Sequence, residues 1–162
     1  MAITVHVNGG CLVKIDAGQG DGLQSLGYTG NGASIREVDY TENVPGDQNG
    51  GDSGPPIDVQ YFGSHHEIDL EFTNWDASVA APLMAKVNNG TAGVLPIAGS
   101  LMLSGALYYR LVLTGYEPRN YLYAFLRNGV EINKGTKFSR LRLQFFAMAS
   151  GPGGTLYNTT TT

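Results

Sequence analysis

The sequence predicts an all-β domain, either a β-sandwich or a small barrel, with one short flanking α-helix. Apolar and polar residues alternate with a period of two in several segments, which is typical of half-buried strands. The pair Asn-Gly, which favours the left-handed turns of tight hairpins, occurs five times. The 23 glycines and the low charged fraction of 15% suit short strands joined by turns. With 162 residues, 42% of them hydrophobic, residues 1–162 are expected to form a single domain.

The first third of the chain contains one predicted hairpin and one segment without a clear period. Residues 3–7 and 11–15 are apolar, strand-like runs on either side of Asn8-Gly9, so we expect them to pair. Residues 18–32 are rich in glycine and show no periodicity. Residues 34–40 alternate again and predict a strand.

Residues 42–56 read as a long polar loop. Their sequence, ENVPGDQNGGDSGPP, is too poor in apolar side chains to hold itself in place. A loop of this length in a compact domain is usually functional or disordered. If the chain is a subunit that assembles, we expect the loop to be disordered when the subunit is free and ordered against a neighbour, so that shortening it would spare folding but weaken assembly.

The middle of the chain predicts two strands and then a helix. Residues 57–62 are a strand candidate, and residues 66–73 alternate cleanly between an apolar and an acidic face. A polar cap at residues 74–76 then predicts a short or broken helix over residues 77–86, because Pro82 disrupts a long one. The apolar face of the second strand consists of Ile68, Leu70 and Phe72, and the acidic face of Glu67, Asp69 and Glu71.

The last third predicts strands at residues 101–113, 119–127 and 137–148. Asn128-Gly129 lies between residues 121–127 and 130–132 and predicts a second hairpin. Residues 151–162 are expected to form a loose C-terminal tail. In total we expect about eight strands, whose predicted core includes Ile68, Leu70, Phe72, Leu141, Leu143 and Phe145.

The sequence offers no convincing catalytic or cofactor site. Gly51-Asp-Ser-Gly54 resembles the segment around the nucleophile of chymotrypsin-like proteases, but only His6 precedes Ser53 and the chain is too short for two barrels. Asp47, Asn49 and Asp52 do not keep the spacing of a calcium loop. No phosphate-binding glycine motif occurs. We therefore expect no enzyme activity, no catalytic residue and no cofactor.

The adjacent histidines His65 and His66 are a weak candidate for a metal site. Neighbouring residues of a strand point to opposite faces, so the pair cannot chelate one ion from one side. We expect one ring at the surface and the other half-buried, with no metal bound.

Charge and cysteine content bound the partners. The net charge of −4, the pI of about 5.2 and the absence of any basic cluster disfavour a dedicated nucleic-acid binder. Such a surface suits DNA that passes without sticking. The lone Cys11, the lack of a signal sequence and the lack of a long apolar run predict a protein made and folded in a cytosol, with no membrane partner.

From about residue 55 onward the chain resembles bacteriophage tail tube proteins and related virion proteins. The similarity lies in residues 56–63, in the strand that ends at Trp75-Asp76 before a short helix, and in residues 118–125 and 135–138 with the long strand after them. The resemblance implies six copies closed into a ring whose inner strands form a continuous barrel, with rings stacked into the DNA conduit of a virion. Partners would be other copies of the chain, other virion proteins and passing DNA.

The resemblance also suggests contacts between subunits. The polar loop would reach onto the next ring or subunit, through Val44, Asp47, Asn49, Asp52 and Ser53. In this reading the acidic row Glu67, Asp69 and Glu71 faces the lumen or pairs across subunits with Arg140 or Arg142. Other virion roles stay open, namely capsid cement, baseplate or head–tail connector, as does a carbohydrate-binding module that uses Tyr108, Tyr109, Tyr121 and Tyr123 as a platform.

Overall fold

The structure, a computed structural model, describes residues 10–16, 22–45, 56–84, 108–115, 117–134, 139–149 and 154–159. Its elements run in the order strand–strand–strand–helix–strand–strand–strand. Their bounds are β1 Cys11–Asp16, β2 Gln24–Pro45, β3 Pro56–Trp75, α1 Ala77–Met84, β4 Tyr109–Thr114, β5 Arg119–Lys134 and β6 Ser139–Met148.

The six strands close into a barrel in the order β1-β2-β3-β6-β5-β4, and every neighbouring pair is antiparallel. The predicted fold class is confirmed: the protein is an all-β small barrel with one short helix. Closure removes the exposed edges that an open sheet of this size would leave along its barrel section.

The predicted core lies on two neighbouring strands of the barrel. In β3 and β6, Ile68 is the register partner of Phe145, Leu70 of Leu143, and Phe72 of Leu141. All six side chains are at most 1% exposed, so the predicted core is confirmed. Register partners of an antiparallel pair share a face, and the period-two pattern of both strands therefore fills one interior.

Helix α1 closes one end of this core. Asp76 caps it: its Oδ1 accepts a hydrogen bond from the Ser78 backbone amide at 2.8 Å. Val79 and Leu83 are buried against the barrel. The predicted helix is confirmed over Ala77–Met84. Residues 85–90, where its closing turn was expected, lie outside the described residues.

The hairpin predicted at Asn128-Gly129 is wrong. Strand β5 continues through this pair, and both of its halves pair with β6. Leu126 is the partner of Phe145, whereas Val130 is the partner of Leu143. Four steps along β5 (126 to 130) therefore match two steps along β6 (145 to 143), and a bulge takes up the two extra residues. A bulge uses the same turn-forming residues without reversing the chain.

Strands β2 and β3 are longer than predicted. Strand β2 begins at Gln24, inside the glycine-rich segment, and ends at Pro45, inside the predicted loop. Gly27 has a φ of 151° and a Cβ there would lie 2.1 Å from the Asn74 carbonyl oxygen, so only glycine allows this close pairing of the two strands. Residues 42–45 and Pro56 are thus strand, because β2 and β3 supply each other's hydrogen bonds; residues 46–55 lie outside the described part.

The C-terminal segment is not loose where the structure describes it. Asn158 forms two backbone hydrogen bonds with Asn120 of β5, at 2.8 and 3.0 Å. Residues 151–153 and 160–162 of the predicted tail lie outside the described residues, as do residues 3–7 of the predicted first hairpin and residues 101–107 of a predicted strand.

Candidate functional site

Strands β2 and β3 extend beyond the barrel as a two-stranded ribbon. Strand β3 pairs with β6 only from His65 to Phe72, but its pairing with β2 continues as far as Pro56. We call residues 39–45 and 56–64 the β2–β3 ribbon. Within the described chain no third strand flanks either of its edges. Unpaired strand edges are ready-made templates for another strand.

The ribbon carries a concentration of exposed apolar side chains. Of the seven large hydrophobic residues that are exposed in the described part of the chain, four lie on it, at 51 to 59% exposure: Tyr40, Val59, Tyr61 and Phe62. Val59 and Tyr61 alternate along β3 and therefore share a face with their register partners Asn43 and Thr41. A concentration of large exposed apolar side chains is a candidate interaction site.

A bulge sets the orientation of these side chains. Tyr40 is the partner of Gly63 and Thr41 is the partner of Tyr61, so Phe62 is one extra residue on β3. Gly63, next to it, has a φ of 119°, a conformation that side-chain-bearing residues rarely adopt. Bulges bend a strand and re-aim its side chains. This one lies within the ribbon, three residues before the barrel part of β3 begins at His65.

Three stacked rings fix the base of the ribbon on the outer side of the barrel. The His65 ring lies between Tyr40 and Phe146, with centroid distances of 5.3 and 4.1 Å. The stack joins β2, β3 and β6 in one row. It also buries His65, whose two ring nitrogens form no hydrogen bond within the described structure.

An open groove lies beside this stack. Its lining residues are Asp39, Tyr40, Thr41, Glu42 and Phe62, and its volume is about 550 Å³. All five residues are exposed. The groove therefore combines two carboxylates with two aromatic rings, of which Tyr40 is held in place by its stacking on His65.

The acidic row of β3 lies on the outer wall of the barrel, and two of its three members, Glu67 and Glu71, are paired within the chain. Glu67 accepts a hydrogen bond from Arg127 and lies 4.0 Å from Arg36, and Glu71 accepts one from Arg140 at 2.8 Å. The hydrogen bond from Arg127 holds the pKa of Glu67 below its usual range. Asp69, in the middle of the row, has one carboxylate oxygen without a hydrogen-bond partner in the described structure. The contact with Arg140 thus forms within one subunit; a lumenal position for the row stays a prediction.

A polar cluster occupies the interior at the ribbon end of the barrel. His66 Nδ1 lies 3.0 Å from the Tyr121 hydroxyl, and His66 Nε2 lies 3.7 Å from a Glu37 carboxylate oxygen. The Arg119 guanidinium sits 4.6 Å above the ring of Tyr157, which also contacts His66 and Tyr121. Burial, above all, lowers the pKa of His66.

The expected placement of the two histidines is wrong. Both are buried, His65 under Tyr40 and Phe146 on the outer side and His66 against Tyr121 inside. His65 lies on the outer side of the barrel, but the rings of Tyr40 and Phe146 cover it, so it is not at the surface. Among the described residues no three potential metal ligands (His, Cys, Asp or Glu) lie together.

The other predicted site residues separate into three groups. Val44 lies in β2 rather than in a loop, while Asp47, Asn49, Asp52 and Ser53 lie outside the described residues. Arg142 is exposed on β6. Tyr109 and Tyr121 are buried in the core and Tyr108 packs half-buried against Tyr123, so these four residues form no exposed platform.

Sequence reasoning missed the exposed aromatic residues of the ribbon as a surface. Residues 57–62 were expected only to be a strand, with no role for their exposed face. The signal that could have indicated this surface is the neighbouring segment, residues 42–56, which is acidic and rich in glycine and proline. Such a segment offers no apolar layer that could cover a strand beside it.

No protein-family profile matches the chain, and no curated protein matches it in sequence. In the described part of the chain, no helix has the length and apolar character needed to cross a membrane.

Proposed function

We propose that the protein is a non-enzymatic structural subunit of a phage virion, most simply the subunit of a tail tube, which assembles into stacked rings through its β2–β3 ribbon. The observation that carries this proposal is the ribbon itself: two paired strands that leave a closed barrel and expose Tyr40, Val59, Tyr61 and Phe62 to solvent.

The energetics of an isolated ribbon support assembly. A two-stranded hairpin is marginally stable in water unless something packs on it. On this ribbon, four large apolar side chains at 51 to 59% exposure contribute nothing to the barrel core. Burying apolar area against a neighbouring subunit is favourable by about 25 cal/mol per Å². Assembly would therefore stabilise the ribbon by burying the apolar side chains that the free subunit exposes.

The closed barrel supports a building-block role. Each of its six strands pairs with two neighbours over part of its length, which limits the free edges of the barrel section. The ribbon has free edges among the described residues and can pair with a neighbour in a defined direction. A closed barrel that carries one ribbon with free edges suits a subunit of which many copies assemble.

The charge distribution is consistent with a conduit for DNA. The net charge is −4, and the arginines of the outer wall are largely engaged with Glu67 and Glu71. A wall whose cations are neutralised by neighbouring carboxylates gives phosphates little to bind.

A carbohydrate-binding module is the second candidate, because Tyr40, Tyr61 and Phe62 are exposed aromatic rings of the kind that sugars stack on. It differs from the first in one observable respect. A sugar-binding module would bind glycans as a monomer, whereas a tube subunit would associate with itself.

Sedimentation velocity over a range of concentrations tests the proposal. We expect the wild-type chain to form large species as its concentration rises, and the double variant Val59→Ser/Tyr61→Ser to stay a folded monomer. Leu122→Ser is the matched control, since Leu122 is an exposed apolar residue (46%) on β5 and away from the ribbon. Unchanged association of the ribbon variant, or a wild-type chain that remains monomeric at every concentration, would contradict the proposal.

A further inference from the structure

We propose that the groove of the ribbon binds the guanidinium group of Arg142 from a second copy of the chain, in a head-to-tail contact; this inference rests on the proposed assembly and names the contact that propagates it. Its basis is the chemistry of the groove, the inventory of exposed arginines and the distance between groove and Arg142 within one subunit.

The groove has the composition of a site for a cationic side chain. Its lining includes two acidic residues, Asp39 and Glu42, and two aromatic residues, Tyr40 and Phe62, around an open volume of about 550 Å³; Glu42 and Tyr40 share one face of β2. A guanidinium donates parallel hydrogen bonds to a carboxylate and stacks on aromatic faces. Asp39 and Glu42 form no ion pair with a described cation. The carboxylates of the lining therefore have no cation partner among the described residues of the same subunit.

One of the exposed arginines, Arg142, forms no ion pair among the described residues. Four arginines in the described residues are exposed: Arg36, Arg127, Arg140 and Arg142. The first two contact Glu67 and the third contacts Glu71. Within the described structure Arg142 has no carboxylate within 4.0 Å. Among the four exposed arginines it is the one that can enter the groove without breaking an ion pair of the described residues; its register partners are Glu71 on β3 and Glu131 on β5.

Arg142 cannot reach the groove of its own subunit. Its register partner on β3 is Glu71, whereas the groove lies beyond Ser64, the partner of Asp39. The separation along β3 is seven residues (71 minus 64), or roughly 23 Å at a strand rise of about 3.3 Å. This is several times the length of an arginine side chain. The contact must therefore join two copies.

A contact between different patches of two identical subunits is heterologous. The groove of one copy binds Arg142 of a second copy, and the groove of that second copy remains free for a third. The same contact therefore either repeats into an open filament or closes into a ring. This is the geometry that rings and tubes require, and it differs from the self-complementary contact of a two-fold dimer.

Charge reversal tests the pairing. We expect Glu42→Arg and Arg142→Glu each to raise the protein concentration needed for association by at least about tenfold, because each places like charges together. The double variant Glu42→Arg/Arg142→Glu should return it to within about threefold of wild type. Asp58→Arg is the matched control, since Asp58 is an exposed acid of the same ribbon outside the groove. Equal effects of Glu42→Arg and Asp58→Arg, or no rescue in the double variant, would overturn the inference.

A zero-length cross-linking experiment separates this inference from the proposed function. In Arg142→Lys, carbodiimide should join position 142 of one copy to Asp39 or Glu42 of another, identified by mass spectrometry with mixed isotope-labelled chains. Rings or tubes without this cross-link would overturn the inference and leave the proposed function standing. If the cross-link forms in small oligomers that never become rings or tubes, the inference stands and the proposed function is overturned. If neither the cross-link nor any ring or tube is found, both are overturned.

Discussion

His66 Nδ1 lies 3.0 Å from the Tyr121 hydroxyl, and this contact joins β3 to β5, two strands that are separated in the barrel by β6. Burial, above all, raises the pKa of Tyr121, and the nearby Arg119 guanidinium opposes that rise. Tyr157 covers both rings, so the C-terminal segment is attached to the barrel at the base of the ribbon.

Removing the hydroxyl should destabilise the barrel. Tyr121→Phe keeps the buried ring but leaves His66 Nδ1 without its partner in the interior, and we expect a loss of about 1–3 kcal/mol in the free energy of unfolding. Tyr123→Phe is the control, because Tyr123 is half-buried on the same strand; its effect should stay within about 0.5 kcal/mol. Urea titration of both variants measures the difference. Equal effects would show that the buried hydrogen bond contributes nothing specific.

The stability of the subunit should fall with acidification below about pH 6.5. Burial lowers the pKa of His66 from its ordinary value of 6.5, so the unfolded chain binds a proton there more readily than the folded one. The stability that the neutral ring contributes is fully present above pH 6.5 and is lost as the pH falls toward the lowered pKa. The facing groups are Glu37, His65, Arg119, Tyr121 and Tyr157.

The lowered pKa values of Glu67 and Asp76 add a separate loss at lower pH, beginning near their ordinary values of 4.5 and 3.8. Unfolding midpoints of the wild type and of His66→Gln between pH 5 and 8 measure the first effect. The wild type should lose stability over this interval and the variant much less. If the unfolding midpoints of the two proteins fall in parallel as the pH falls, groups other than His66 cause the loss of stability.

The core is expected to respond strongly to truncation. Leu143 is 1% exposed, and Leu143→Ala should cost about 2–5 kcal/mol of unfolding free energy through lost contacts and a cavity. Leu122→Ala, at an exposed position of β5, should change it by about 0.5 kcal/mol or less. Chemical denaturation of the two variants side by side checks this, and an unchanged midpoint for Leu143→Ala would contradict the placement of β6.

The cap of α1 offers a further test. The Asp76 carboxylate accepts hydrogen bonds from the Ser78 amide and hydroxyl at 2.8 and 2.6 Å. Asp76→Ala should lower the unfolding midpoint, while Asp76→Ser, which retains a capping oxygen, should lower it less. Thermal melts followed by circular dichroism distinguish the two. A ranking in the opposite order would show that the cap is not what Asp76 contributes.

The sequence predicts well where periodicity and burial coincide. Ile68, Leu70 and Phe72 alternate with acids, Leu141, Leu143 and Phe145 alternate with polar residues, and both sets pack together as expected. Asp76 and the helix after it follow from capping chemistry alone. These features depend on residues close in sequence or on a single buried face.

Features that depend on distant partners were not predictable in the same way. Asn128-Gly129 favours a turn locally, but pairing of both flanks with β6 makes it a bulge. The burial of His65 depends on Tyr40 and Phe146, which are 25 and 81 residues away along the chain. The attachment of Tyr157 and Asn158 likewise depends on β5. In each case tertiary contacts override the local preference.

Electron microscopy of the purified, concentrated protein tests the central claim, assembly through the β2–β3 ribbon, most directly. We expect closed rings with a central channel, stacked into short tubes, in which a reconstruction places Tyr61 and Phe62 of each subunit against its neighbour. Single barrels at every concentration, or assemblies in which Tyr61 and Phe62 remain exposed to solvent, would contradict the account.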